Sequence, residues 1–385
     1  MFWRRSFRRI YRRVRPAVQR AWLSGLTLAT VSVGRSGPGA AQERVVVDPP
    51  SMPHYLCYRA PSAPQVDGEL SETSWQLARW TEGFVDIETG AKPAPWRTRV
   101  KMLWDDAHLF IGAELEEPHL WATLTQRDTI IYQDNDFEVF IDPDGDTHDY
   151  FEIEINALGT LWDLWLPVPY RDGGTAVADW NIDGLQSAVA LDGTLNDPSD
   201  EDTGWTVELA IPWKALMGES SAAGGPVPGD HWRMNFSRVQ WPLEIVDSVY
   251  RKKIDASEDN WVWSPQGAVN MHKPERWGIV QFSDRVAGRG RDSFKPDGGA
   301  VARWALWQIY YAQSTHWREH NRYATDLDDL GLATMVTPGG SMLTARMEAT
   351  DDTYRAGVLE TGGQVEWTIQ ETGRVQRVVE EPSQE

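Results

Sequence analysis

One stretch, Tyr132 to Asp163, constrains the fold more than any other part of the chain. Phe137, Val139 and Ile141 alternate with Glu138, Phe140 and Asp142; Phe151, Ile153 and Ile155 alternate with Glu152, Glu154 and Asn156. A period of two marks a strand with one apolar face. Between the two runs, Asp142-Pro143-Asp144-Gly145-Asp146 supplies Pro, Asp and Gly where a hairpin turns. The stretch therefore reads as two antiparallel strands, with Leu161 to Leu166 as a third. One face packs into a core. The other sets Glu138, Glu154 and Asn156 side by side. That second face is either the solvated outer side of a sheet or a surface that holds a polyhydroxylated ligand.

The flanking sequence extends the same pattern. Thr98, Val100, Met102 and Trp104 alternate with Arg97, Arg99 and Lys101, and Leu109 to Glu116 is the return strand of a hairpin. Further strands are expected near Val189, at Trp205 to Ile211, at Trp232 to Gln240 and at Arg276 to Phe282, with a helical turn opened by Pro212-Trp213. Short strands between turn signals, without βαβ alternation, predict an all-β, two-sheet antiparallel sandwich of jelly-roll type. The expected organisation is an export segment over 1–41, a Pro-rich lead-in over 42–64, the sandwich over 65–283, a linker over 284–300 and a small α+β region over 301–385. In that last region Val301 to His316 reads as a helix and Tyr323 to Leu330 as a second helical element. Strands follow near Met342 to Met347, Tyr354 to Leu359 and Gln364 to Gln370. A helix followed by a meander is vaguely similar to the globular half of pilin-like domains.

Charge and composition narrow the function. Nine Arg and no acidic residue precede Gln42, leaving 28 basic against 57 acidic residues, or −29, beyond it. Such a surface repels nucleic acid and anionic membranes and suits neutral ligands or bound cations. The Arg-rich start, the apolar run Ala21 to Val33 and the small residues Gly39-Ala40-Ala41 have the layout of a secretory signal, and Arg4-Arg5-Ser6-Phe7 resembles a twin-arginine core. This predicts a periplasmic or extracellular protein. The alternative is a basic surface helix left uncleaved. The single Cys57 excludes an internal disulfide framework. Trp (21) outnumbers Phe (10) and Tyr (11), more than a core alone would use, and stacking on sugar rings is one use for the surplus.

The run D-N-D-F-E-V-F-I-D-P-D-G-D followed by Y-F-E-I-E-I-N resembles the family 9 carbohydrate-binding modules and the wider group of carbohydrate-binding family 9-like proteins. With V-D-G-E-L-S-E-T-S-W, V-K-M-L-W-D-D-A-H-L-F-I-G, G-W-T-V-E-L-A-I-P-W and P-E-R-W-G-I-V-Q-F, the matching pieces run in the family's order over 54–283. The resemblance implies a β-sandwich that binds a saccharide. It also implies an aromatic clamp, with Tyr132 at one wall. The other wall precedes Pro274-Glu275-Arg276-Trp277-Gly278, where Met271 or His272 stands instead of Trp, and Trp261 and Trp263 lie close upstream. The matching polar positions are Glu138, Glu154, Asn156, Asn235 and Arg238.

Asp142, Asp144 and Asp146 look like the front half of a calcium loop, with oxygen ligands at alternate positions and Gly145 at the bend. Ile153 falls where an EF-hand would place its bidentate Glu. An edge calcium site, which the resemblance also implies, and a plain acidic turn are the two remaining readings. Two other functions compete with saccharide binding. A glycosidase needs paired carboxylates about 5–10 Å apart across a cleft, and Glu138 with Glu154 is the candidate pair. Haem, carried by some domains of the same sandwich group, would use Lys101, Met102, Met234 or Met271; covalent attachment is excluded because no C-x-x-C-H occurs. The expectation is a non-catalytic saccharide binder, accessory to polysaccharide breakdown, with any partner glycoside hydrolase left unidentified.

Overall fold

The structure, a computed structural model, describes residues 44–217, 225–360, 362–363 and 365–379. The expected export segment, 1–41, lies outside the described residues. In chain order the strands begin with β1 (Val45–Val46), β2 (His54–Arg59), β3 (Val85–Asp86), β4 (Thr98–Trp104), β5 (His108–Glu116), β6 (Asp136–Asp142) and β7 (Tyr150–Asn156). They continue with β8 (Leu161–Leu166), β9 (Gln186–Asp192), β10 (Gly204–Pro212), β11 (His231–Gln240), β12 (Leu243–Val246), β13 (Val249–Lys252), β14 (Asp259–Val262) and β15 (Gly278–Val286). The last are β16 (Met335–Val336), β17 (Ala345–Ala349), β18 (Tyr354–Leu359), β19 (Val365–Gln370) and β20 (Val375–Val379). The helices are α1 (Thr73–Leu77), α2 (Trp213–Met217) and α3 (Ala300–His320). No helix among the described residues is long and apolar enough to cross a membrane.

Twelve strands form one curled sheet in the order β8-β7-β6-β11-β15-β2-β4-β5-β10-β9, with β14 on β11 and β3 on β14. The curl brings its two ends together as the leaves of a sandwich. Phe137, Val139 and Ile141 of β6 and Ile153 and Ile155 of β7 meet Val100 and Met102 of β4, Ile111 of β5, and Val207 and Leu209 of β10 in one core. This is the apolar half of the period-two pattern, sealed by the opposite leaf. Pairing in the sheet is antiparallel except around β2, which runs parallel to both β15 and β4. The Pro-rich lead-in thus contains a strand of the main sheet. β2 lies mid-sheet between β15 and β4 and buries Tyr55 and Cys57 in the core.

The outward face of β8-β7-β6-β11 is covered too. Phe140, Tyr150, Leu164 and Leu166 pack with Ile87, Val262, Met271 and Trp277 in a second apolar cluster. The face that carries the carboxylates is therefore not a solvated surface. Its polar side chains sit beside an apolar layer.

The C-terminal region is a helix on a meander. α3 lays Ala302, Ala305, Leu306 and Ile309 against Tyr354, Ala356, Val358 and Ile369 of the sheet β17-β18-β19-β20. The fourth strand, β20, was not expected, and Tyr323 to Leu330 forms turns in place of a second helix. β1 pairs in parallel with β16, and Val47 is buried in this unit's core, so the start of the described chain belongs to the C-terminal unit. The segment expected as a linker is held down. β15 continues to Val286, the Ser283 hydroxyl donates to Asp292 (2.7 Å), and the Phe294 ring lies 4.2 Å from that of His54.

Candidate functional site

Period two puts Asp136, Glu138, Glu152, Glu154 and Asn156 on the outward face of β6 and β7, and the register pairs Glu138 with Glu154 directly across the two strands. All five are buried; Glu138, the most open, is 5% exposed. Oxygen ligand atoms of Glu138, Glu152 and Glu154 lie within 4.8 Å of one another. Glu154 Oε2 accepts the backbone N–H of Tyr132 (2.9 Å), whereas Oε2 of Glu138 and Oε2 of Glu152 are buried without a hydrogen-bond partner. Burial lifts the Glu138 carboxyl to about 7. Burial, followed by the neighbouring carboxylates, pushes Glu152, Glu154 and Asp136 well above the usual range.

Tyr132 sits on a single turn, Ile131–Gln133, at the edge of this face and is part-exposed. Trp241, just past β11, fixes that turn by donating its indole N–H to the Tyr132 carbonyl (2.7 Å), and the Lys252 ammonium lies 3.5 Å over the Trp241 ring. Sequence reasoning missed Trp241, because no motif marks a residue whose role is set by the neighbouring turn. It also missed Glu152 and Asp136 as members of the group, although their parity with Glu138 and Glu154 was there to be read.

The other expected ligand-binding residues are committed elsewhere. Asn156 donates to the Leu124 carbonyl (2.9 Å) and Asp134 (3.0 Å) and accepts from the backbone of Leu158 and Thr160, so its amide closes the β7–β8 turn. The Asn235 amide donates to the Ser264 carbonyl and accepts from the Ser264 and Phe236 N–H groups, which clamps the segment after β14 onto β11. Arg238 points to the opposite face. It is buried in an ion pair with Glu117 (2.6 Å) and hydrogen bonds to Thr98 and the Glu116 carbonyl. Trp263 is buried in the inter-leaf core, and Trp261 packs against that core. His272 does reach the outward face, but as part of its apolar cover. Its Nδ1 is 3.0 Å from the Tyr150 hydroxyl, and its ring lies edge-on to Tyr170. Burial holds its pKa down at about 3.

The acidic hairpin is partly neutralised from within the chain. Asp142 accepts the N–H groups of Gly145 and Thr147, Asp144 that of Asp146, and Asp146 that of His148. Arg374 Nε, from the C-terminal unit, lies 2.6 Å from Asp146 Oδ2. Each carboxylate thus already holds an N–H donor, and a guanidinium supplies positive charge. Oxygens of the three aspartates nevertheless lie within 4.8 Å of one another, so the hairpin keeps the spacing of a candidate cation site.

The remaining alternatives can be located as well. Glu138 and Glu154 are neighbours on one pleated surface, not opposite walls of a cleft. Met102 and Met234 are buried in the inter-leaf core, Met271 lies in the outer cluster, and Lys101 Nζ donates to the Trp75 carbonyl (2.9 Å).

Fold and site together define a two-leaf β-sandwich whose outward strands carry a buried group of carboxyls beside an aromatic turn. The chain belongs to the carbohydrate family 9 binding domain-like family, whose model matches residues 66–284. Similar solved structures include a carbohydrate-binding module family 9 protein from Caldicellulosiruptor kristjanssonii in complex with cellotriose (17% identity, 63% of this chain, 100% of that one, TM-score 0.39). The same module in complex with glucose gives 18%, 63%, 100% and 0.39. A candidate carbohydrate-binding protein from Bacteroides uniformis gives 18%, 60%, 100% and 0.44. Among curated proteins, none matches the chain.

Proposed function

We propose that this protein binds a saccharide at the edge of the β6–β7 face, with Tyr132 stacking on the ring and Glu138 accepting its hydroxyls. The observation that carries the reading is a carboxylate oxygen on Glu138, buried without a donor, beside an aromatic residue that still reaches solvent. A sugar supplies what that arrangement lacks, since its hydroxyls donate and its C–H face packs on a ring. Membership of a carbohydrate-binding family supports it. A hydrogen bond to a charged group contributes about 1.5–3 kcal/mol. Tyr132→Ala and Glu138→Gln should therefore each weaken binding by about tenfold or more. The measurement is isothermal titration of the wild type and both variants with the best hit from a glycan array, alongside melting curves. Unchanged affinity in both folded variants would remove the site.

The protein works outside the cytoplasm, as an accessory to polysaccharide breakdown. The basic start and Gly39-Ala40-Ala41 support export. Cleavage before Gln42 would leave β1, which begins at Val45, intact. Mass spectrometry of the native protein should find a mature N-terminus near Gln42; an intact Met1 to Ala41 segment would overturn this.

A further inference from the structure

The last turn of α3 carries two histidines in the run His316-Trp317-Arg318-Glu319-His320. A spacing of four residues places both rings on one side of a helix, one turn apart. Their centroids are 4.2 Å apart and their planes 22° from parallel. His316 is half-buried and His320 is exposed. The backbone orients each ring. His316 Nδ1 lies 2.9 Å from the Arg322 carbonyl, and His320 Nδ1 lies 3.1 Å from the His316 carbonyl. A carbonyl only accepts, so both Nδ1 atoms donate, and each neutral ring presents its lone pair at Nε2. Neither Nε2 has a hydrogen-bond partner among the described residues. The support beneath the pair is fixed as well. Asn321 closes the helix in the left-handed conformation (φ 54°), its N–H donating to the Trp317 carbonyl (2.7 Å). The buried Gln313 amide donates to the Ala324 carbonyl (2.9 Å) and accepts the Ala324 N–H (2.8 Å), which ties the turn after the helix back onto α3.

We propose that His316 and His320 form a binding site for a divalent transition-metal ion, with copper(II) held most tightly. Imidazole nitrogens select copper, nickel and zinc over calcium and magnesium, and copper(II) stands highest in affinity at such a site. A metal-bound histidine commonly donates its other ring N–H to a backbone carbonyl, and here both rings do so. Two nitrogens that share one ion at about 2.0–2.1 Å stand about 3 Å apart, which rings stacked at 4.2 Å reach by a small torsional change. The C-terminal end of the helix adds partial negative charge beside the ion. Solvent on the exposed side fills the remaining coordination positions. The alternative is that the rings only cap the last carbonyls of α3. That reading accounts for the Nδ1 bonds and leaves the paired, unpartnered Nε2 atoms without a role. The histidines lie outside the residues that match the family, 66–284, and the inference stands apart from the saccharide reading.

The test uses the full chain and copper(II) chloride, in a non-coordinating buffer with excess magnesium to occupy carboxylate oxygens. Calorimetric titration should give saturable copper uptake, and electron paramagnetic resonance of the complex should show coupling to a pair of nitrogens. Changing an outer support of a metal-bound histidine weakens binding about 10–100-fold, and losing a ligand costs no less. His316→Gln and His320→Gln should therefore each weaken uptake by about tenfold or more. His108→Gln, on β5, should leave it unchanged. Circular dichroism checks that each variant is folded, and His320, being exposed, keeps the experiment readable if His316→Gln is not. A wild type that takes up no copper would overturn the proposal. Uptake of full strength in folded His320→Gln, or a spectrum showing a single nitrogen, would overturn it equally.

Discussion

His272 cannot easily carry a proton where it sits. Its ring packs among Phe140, Tyr150 and Tyr170, and burial, with Arg171 adding to it, holds its pKa near 3. The sign follows from linkage. A depressed folded-state value means the unfolded chain takes up the proton first, so stability present above about pH 6.5 is lost as pH falls toward 3, at up to about 1.4 kcal/mol per pH unit. His272→Gln removes that titration. Denaturant unfolding between pH 6.5 and 4.5 should therefore show a shallower loss of stability in the variant than in the wild type, and parallel profiles would contradict it. At this scale the sequence was legible in parity and blind to partners. Alternation placed Glu138, Glu154 and Asn156 on one face. It could not show that Asn156 and Asn235 spend their amides on nearby backbone, because those bonds depend on loops that alternation does not describe. Parity also carried a warning about Arg238: three residues from Asn235 on one strand, it faces the other way.

Elements with strong periodicity were readable and those with local interruptions were not. The β6–β7 hairpin could be read directly, and Gly145 occupies the left-handed conformation (φ 69°) that its turn requires. β2 was hidden because its six residues lie among Pro49, Pro50, Pro53, Pro61 and Pro64, and because its partners, β15 and β4, are remote in sequence. β20 was hidden because Val375–Val379, only five residues long, does not alternate strictly between apolar and polar. The docking of α3 was also out of reach of sequence reasoning. Tyr310 donates to Asp172, and Tyr311 donates to Glu275, which also lies 2.6 Å from Arg171. Burial alone would raise the Glu275 pKa, but Arg171 overrides it and holds the carboxyl below its ordinary range. Glu275→Ala would leave Arg171 buried with only Asp172 as acidic partner, and breaking such a pair costs about 3 kcal/mol or more. Denaturant unfolding of this variant should show that loss; a change below about 1 kcal/mol would mean α3 docks by its apolar face alone.

The whole molecule is two units fastened to each other. Arg374 reaches Asp146, the Thr147 hydroxyl donates to the Gly373 carbonyl (2.9 Å), and the α3 tyrosines meet the Tyr170–Asp172 turn and Glu275. β1, at the start of the described chain, pairs into the C-terminal unit, so the sandwich is flanked by that unit at both of its chain ends. This leaves the Tyr132 edge of the β6–β7 face as the place where aromatic surface and donor-poor carboxyls meet. Saccharide recognition there is the central claim, and a crystal of the full chain soaked with the best glycan-array hit tests it most directly. The account predicts sugar density against the Tyr132 ring, with a hydroxyl within hydrogen-bond distance of Glu138. Ordered sugar elsewhere on the sandwich, with the Tyr132 edge empty, would contradict it.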